Sequence, residues 1–175
     1  MFEAIAQGFT GIALFVSQLI VPMGDRLSLT LNGIENHNAA AVVRVKLELP
    51  LDPQLEALID AGMPLRISFT AIAGDGSERK LLRTLKFQTE KLTYSFSDST
   101  SDGVVYSKSY PMILLALKEY CVYETVASKR AGSVKIKAEL LPGRLSRINK
   151  TVDPRQLFGK HYAEISVNTN YRGKP

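Results

Sequence analysis

The chain has 175 residues, of which 45% are hydrophobic and 22% are charged. This composition excludes a mainly disordered protein, and the length suffices for one folded domain with a sizeable core, alone or with an appended segment. The net charge of +5 is unevenly distributed, because residues 129–175 hold 11 Lys or Arg against 3 Asp or Glu while residues 1–128 hold 11 against 14. The basic character therefore belongs to the last quarter of the chain.

Residues 4–24 contain no charged side chain, and 21 uncharged positions are close to the length of a membrane span. Four polar residues interrupt the segment: Gln7, Thr10, Ser17 and Gln18. Glu3 stands where a secretory signal carries Lys or Arg, and no small-x-small cleavage site precedes Asp25. Three interpretations stay open: an imperfect signal sequence, an uncleaved anchor, or a hydrophobic helix that packs on the domain or on a partner.

We expect export or anchoring for this N-terminal segment. The sequence then predicts a periplasmic or otherwise extracytoplasmic protein, in which residues 1–24 are the signal-like or anchor-like part and residues 25–175 form a single domain. No Pro, Gly or Ser-rich linker divides that domain, and no internal repeat of solenoid or propeller length occurs.

From Asp25 onwards the apolar period changes to two, as in β-strands. Residues 27–31 and 43–49 each place aliphatic side chains on one face, and the turn-rich residues 35–39 between them predict an antiparallel hairpin.

A short helix is predicted between the next two strands, within residues 51–69. Asp52 can cap its N-terminus, and Pro53 suits the first helical position because its missing N–H costs nothing there. Gly62 can adopt the left-handed conformation that ends a helix, and Pro64 forbids continuation. We therefore expect this helix to cross between strands and cap one end of the β core.

Short strands and polar turns make up most of the remaining sequence, with a tight turn at Asp75-Gly76. Leu92, Tyr94 and Phe96 are expected to share one strand face. A second helix is predicted from Pro111, and residues 141–159 are expected to be irregular apart from a helical turn after Asp153-Pro154. Strands are predicted over residues 65–70, 80–89, 91–97, 104–109, 121–127, 133–141 and 163–169.

Seven to nine short strands without a regular strand–helix alternation predict a mainly β protein. The predicted fold is an antiparallel β-sandwich, immunoglobulin-like in style, with two short helical insertions and an N-terminal hydrophobic helix.

Catalytic and cofactor motifs are absent from the sequence. Cys121 is the only cysteine, so neither an intramolecular disulfide nor a cysteine-based zinc site can form, and its alternating neighbours favour a small buried thiol. Two histidines, His37 and His161, give little basis for a triad or a zinc site. No nucleophile elbow, phosphate-binding loop or dinucleotide fingerprint occurs. The sequence therefore predicts no enzyme, no metal and no cofactor, and the alternative is an enzyme whose site is assembled from scattered Asp, Glu, Ser and Tyr residues.

The residues 98–103 come closest to a metal loop. Asp98, Thr100 and Asp102 alternate before Gly103, as in the first half of a calcium loop, but the twelfth position is Ser109 instead of the closing Glu. We expect a β-hairpin loop here, with calcium binding as the alternative.

Candidate contacts to an anionic partner come from the basic last quarter. They are Lys129, Arg130, Lys135, Lys137, Arg144, Arg147 and Lys150, with Arg155 and Lys160 as further members. Phosphate contact would release counterions, yet no aromatic residue interleaves residues 130–150, as single-strand binders require. A solvated surface is the simplest interpretation. The functional alternative is a binding module that docks this quarter on anionic lipid, an acidic partner or nucleic acid.

Three segments resemble a family of exported bacterial proteins of unknown function. The shared pattern is a Leu-rich helix ending in Gly-x-Pro-Leu, an Arg-containing strand, a Leu/Tyr-rich strand and a short Leu-rich helix. The matching residues are Leu55, Ala57, Leu58, Gly62, Pro64 and Leu65, then Arg83, Leu85, Leu92 and Tyr94, then residues 115–117. The resemblance covers residues 26–165, and the Trp residues expected of that family are missing here. It implies an extracytoplasmic β-rich domain without known active residues.

These features together predict a non-enzymatic, extracytoplasmic and membrane-associated interaction or scaffold protein, with a protein partner or a membrane surface as its ligand.

Overall fold

The computed structural model describes residues 27–49, 53–100, 103–109, 111–112, 122–145 and 149–169. The predictions for residues 1–24, Asp52, Cys121 and Arg147 lie outside these ranges, as does the second predicted helix beyond its first two residues, Pro111 and Met112, which are helical.

The described residues form eleven strands, two short α-helices and one 3₁₀ turn at Lys129–Ala131. The strands are β1 (Ser28–Asn36), β2 (Ala40–Glu48), β3 (Leu65–Ala73), β4 (Glu78–Gln88), β5 (Thr93–Asp98), β6 (Val104–Ser107), β7 (Val122–Ser128), β8 (Ser133–Leu141), β9 (Gly143–Leu145), β10 (Lys150–Val152) and β11 (Tyr162–Asn168). The helices are α1 (Pro53–Asp60) and α2 (Pro154–Phe158).

Two antiparallel sheets face each other. The larger has the strand order β11-β8-β3-β4-β5-β6 and the smaller the order β1-β2-β7, while β9 and β10 make a separate two-stranded hairpin. The predicted mainly β, sandwich-like class is confirmed. The described strands outnumber the expected seven to nine, because β9 and β10 have three residues each and carry no readable alternation.

The core lies between the inner faces of the two sheets. Alternate residues of β2 and β3 are buried as the period of two predicts, and Phe69 of β3 is fully enclosed. Its ring stacks on that of Tyr123 in β7, with 5.0 Å between centroids and 11° between planes. This contact joins the two sheets near the middle of the sandwich.

Helix α1 crosses from the smaller sheet to the larger one and closes one end of the core. Its apolar stripe is fully buried, consisting of Leu55, Leu58 and Ile59. At its C-terminus Gly62 has φ of +96°, its N–H donates to the Ile59 carbonyl (2.9 Å), and the Met63 N–H donates to the Leu58 carbonyl (3.0 Å). This is the two-bond closure of a left-handed helix end, and it confirms the role predicted for Gly62.

Gly62→Val should lower the free energy of unfolding by about 1–2 kcal/mol, because a β-branched residue is strained at positive φ. Urea denaturation followed by circular dichroism measures the change. Gly33→Val is the matched control, since Gly33 has ordinary φ and a side chain there would meet nothing within 4 Å. Equal midpoints for the two variants would contradict the assignment.

The strand face predicted for Leu92 was wrong. Leu92 does not share a face with Tyr94 and Phe96: it lies in the turn before β5 with φ of 49° and is 67% exposed. The turn between β4 and β5 needs a left-handed residue, and this requirement overrides the alternation.

The helical turn predicted after Asp153 is confirmed, because the Asp153 carboxylate accepts the Arg155 N–H at 2.9 Å and caps α2.

Candidate interaction site

The outer face of the six-stranded sheet carries a shallow trough along its strand β3. Ser68 and Thr70 are short, whereas the neighbouring strands β4 and β8 project long charged side chains on either side, so the middle strand forms a floor between two walls. The volume is about 520 Å³. We call this feature the β3 trough; it is lined by Ser68, Thr70, Ile72, Glu78, Lys80, Lys135, Lys137, Glu139 and Glu164.

Strand register sets the order of charges in the β3 trough. Thr70 lies opposite Lys80 on β4 and opposite Lys137 on β8. With strands spaced by about 4.8 Å, the two lysine Cα atoms are roughly 10 Å apart, so a lysine stands on either side of Thr70. Residues that lie opposite each other on neighbouring strands form rows across the sheet. The row through Ser68 contains Glu139, and the row through Ile72 contains Glu78 and Lys135.

Each lysine of the trough already has a carboxylate partner. The Nζ–Oε distances are 2.8 Å for Lys80–Glu78, 3.0 Å for Lys135–Glu164 and 3.0 Å for Lys137–Glu139. The three lysines and three glutamates leave the trough with no formal net charge. All six side chains are partly exposed, and such pairs contribute little to stability, so an incoming charged group can replace one partner.

The sequence-predicted basic residues do not all come together. Lys135 and Lys137 lie side by side in the trough, as their strand alternation predicted. Arg130 is exposed in the 3₁₀ turn before β8, which also contains the backbone of Lys129. Arg144 is exposed on β9, where its Nε donates to Asn149 Oδ1 at 2.8 Å, and Lys150 is exposed at the start of β10.

The predicted basic residues therefore lie in separate groups, before, within and after strand β8. The strand has nine residues and is roughly 27 Å long, with the 3₁₀ turn before its first residue and β9 after its last. Every acidic residue of the last quarter also pairs with a basic one of the same quarter, since Asp153 and Arg155 form an ion pair of 2.8 Å beside the two pairs in the trough. The described basic residues of this quarter are thus spread over the surface, and three of them are paired with its carboxylates.

The β3 trough includes residues that the sequence did not single out. Glu78 and Lys80 on β4 and Glu164 on β11 enter it only through strand pairing with β3 and β8. Tyr162 lies beside it, where Lys137 Nζ is 5.0 Å from the centre of the phenol ring. In the sequence, the alternation Glu-x-Lys at the start of β4 indicates that these two side chains share one exposed strand face. It does not indicate which strands pair with β4.

The pattern in residues 98–103 that is similar to half a calcium loop has a structural explanation. Asp98 is largely buried at the end of β5, where its Oδ1 accepts from the Thr100 N–H (2.8 Å) and hydroxyl (2.7 Å) and its Oδ2 from Arg83 Nε (3.2 Å). Burial raises the pKa of Asp98, but these hydrogen bonds and the Arg83 charge together lower the pKa by more than burial raises it. The net shift of the pKa is therefore downward. Strands β5 and β6 pair across the loop, which confirms a hairpin.

Arg83 ties the two sheets together instead of serving a ligand. Its side chain is 11% exposed on the inner face of β4, its Nη1 donates to the Val122 carbonyl of β7 at 2.8 Å, and its guanidinium carbon is 5.4 Å from the centre of the Phe69 ring. Within the described ranges, no three His, Cys, Asp or Glu side chains are placed to hold a metal ion.

No family model, curated protein or solved structure matches the chain. In the part of the chain that the structure describes, none of the helices has the length and apolar character to cross a bilayer.

Proposed function

We propose that the protein is a non-enzymatic interaction module that binds an extended polypeptide segment of a partner protein in the β3 trough. The supporting observation is the row formed by Lys80, Thr70 and Lys137, where two lysines flank a hydroxyl-bearing residue on a solvent-accessible floor. Extended chains repeat their side chains on one face every two residues, or roughly 6.8 Å, which is also the spacing of successive rows along β3.

Charge complementarity defines the partner. An acidic side chain fits between Lys80 and Lys137, and a basic side chain two residues before or after it reaches Glu139 or Glu78. Such contacts give selectivity more than affinity, because exposed charge pairs are each worth about 0.5 kcal/mol. Three pairs would amount to about a tenfold preference over a mismatched segment.

Two peptides of opposite pattern test this proposal. The wild-type protein should bind Lys-Thr-Glu-Thr-Lys more tightly than Glu-Thr-Lys-Thr-Glu, by about tenfold at low salt, and the preference should shrink as salt is added. The double variant Lys80→Glu/Lys137→Glu should abolish the preference, because the centre of the trough then repels the Glu of the first peptide while Glu139 and Glu78 still attract its lysines. Fluorescence anisotropy of labelled peptides measures both affinities.

The control for that experiment is Arg144→Glu/Lys150→Glu, which makes the same charge change on the β9–β10 hairpin, away from the trough. It should keep the wild-type preference. Equal binding of both peptides by the wild type would contradict the trough as the site. Retention on anionic vesicles or duplex DNA that the hairpin variant abolishes would instead favour docking through the basic last quarter.

We also propose that the protein acts outside the cytoplasm, near a membrane. The support is the uncharged segment 4–24, which lies outside the described residues and precedes the first strand. Fractionation of bacterial cells expressing a C-terminally tagged copy should place the protein in the periplasmic or membrane fraction. Recovery of the full-length chain only from the cytosol would contradict this part of the proposal without affecting the peptide experiment.

A further inference from the structure

Strand β6 presents an exposed apolar edge. It is the last strand of the larger sheet, with no described strand on its outer side. Val104, Val105 and Tyr106 are 43%, 40% and 54% exposed. The register with β5 puts Val104 and Tyr106 on the outer face and Val105 on the inner face, so both faces of the edge are apolar. The strand contains no charge and no proline, the residues that usually protect an edge.

The other sheet edges are protected by local features. β1 has a bulge between Leu31 and Gly33, which interrupts its ladder. The start of β1 lies beside the start of β11, since Leu29 and Tyr162 line the same cleft, so these two edges shield each other. On β7 the Val122 carbonyl accepts a hydrogen bond from Arg83. On β6 the pairing with β5 has no bulge, and Lys91 Nζ lies 5.9 Å from the centre of the Tyr106 ring on one face, which leaves the backbone edge of the strand open.

We infer that β6 pairs with β6 of a second copy of this chain, in antiparallel orientation about a two-fold axis through Val105. In this register Val104 of one protomer lies opposite Tyr106 of the other, on both sides of the axis, and the two Val105 residues face each other. Aromatic and β-branched residues are favourable cross-strand partners, and an uncharged strand brings no repulsion to the contact. A stretch that is complementary to itself selects a second copy, because a two-fold interface joins identical surfaces.

The pairing makes one continuous sheet of twelve strands from two protomers. It uses an edge of the larger sheet and leaves the β3 trough, three strands away from β6, open on each protomer. The inference is therefore independent of the peptide ligand: a dimer without peptide selectivity, or peptide selectivity in a monomer, would separate the two proposals.

Sedimentation of the purified full-length chain tests the state of association. The mass should rise with concentration from that of the 19.3 kDa chain to twice that value. Val105→Lys should stay at the monomer mass at every concentration, because its charge would face an identical charge across the axis. Val126→Lys, on an exposed residue of the smaller sheet, is the control and should dimerise like the wild type.

Disulfide trapping tests the register. In a Cys121→Ser background, Val105→Cys should form a covalent dimer under mild oxidation, because directly opposed residues have Cα atoms about 4.5–5.5 Å apart, within disulfide reach. Ile72→Cys, at an exposed position on β3 of the same sheet, should form at least tenfold less covalent dimer under the same conditions. A wild type that stays monomeric, or equal trapping at both positions, would overturn the inference.

Discussion

Arg83→Met should lower the free energy of unfolding by about 2–4 kcal/mol. The substitution removes the ion pair with Asp98 (3.2 Å) and the hydrogen bond to the Val122 carbonyl (2.8 Å), and it leaves a carboxylate that is only 16% exposed without its cation. Losing one partner of a buried pair costs more than the pair contributes, because the remaining charge stays desolvated. Urea denaturation of the variant and the wild type gives the difference.

The double variant Arg83→Met/Asp98→Asn should recover part of that loss, since it removes the uncompensated charge. Arg83→Lys should fall in between, because a single ammonium cannot reproduce both guanidinium contacts. If the double variant were as unstable as Arg83→Met, the cost would lie in packing around Phe69 and not in the charge of Asp98.

Acid titration of stability isolates the same carboxylate. The pKa of Asp98 in the folded protein lies below its ordinary value of 3.8, so its contribution is present at higher pH and is lost as pH falls through the folded pKa. The difference in stability between the wild type and Asp98→Asn should therefore shrink below about pH 3.8. Chemical denaturation at pH values from 2 to 6 measures it, and a constant difference would contradict the downward shift.

Phe69→Ala should cost about 3–5 kcal/mol, because it empties a fully enclosed position at the centre of β3 and removes the stack on Tyr123. The near-ultraviolet circular dichroism of tyrosine should weaken in the same variant. Ile72→Ala is the control on the same strand: its side chain points to the outer face, so its effect should stay within about 0.5 kcal/mol. A Phe69 loss as small as that of Ile72 would contradict the contact between the sheets.

The strands and the α1 helix were largely predictable because their signals are local. Alternation identified most strands, and Gly62 and Pro64 marked the end of the helix. The failures have physical reasons: Leu92 was displaced by a turn that needs positive φ, and the three-residue strands β9 and β10 are too short to show a period. Pairing between distant strands could not be predicted, since no local pattern encodes it.

The trough shows the same limit. Lys135 and Lys137 were correctly placed on one exposed face, but Glu164, the carboxylate partner of Lys135, and the opposite wall with Lys80 lie at least 29 residues away from Lys135 in the chain. A net charge summed along the sequence suggested a basic surface, whereas the sheet register brings equal numbers of lysines and glutamates into the trough. Charge along a chain thus predicts the field of a site poorly when the site is assembled across strands.

The strand order of the smaller sheet also has a consequence for biosynthesis. Its centre, β2, pairs with β1 on one side and with β7 on the other, and the ion pair between Arg44 and Glu124 joins residues 80 positions apart. At 5–20 residues per second, roughly 4–16 s pass during translation between those two residues. Throughout that interval the edge of β2 that pairs with β7 stays open, so the smaller sheet can be completed only after β7 has been made.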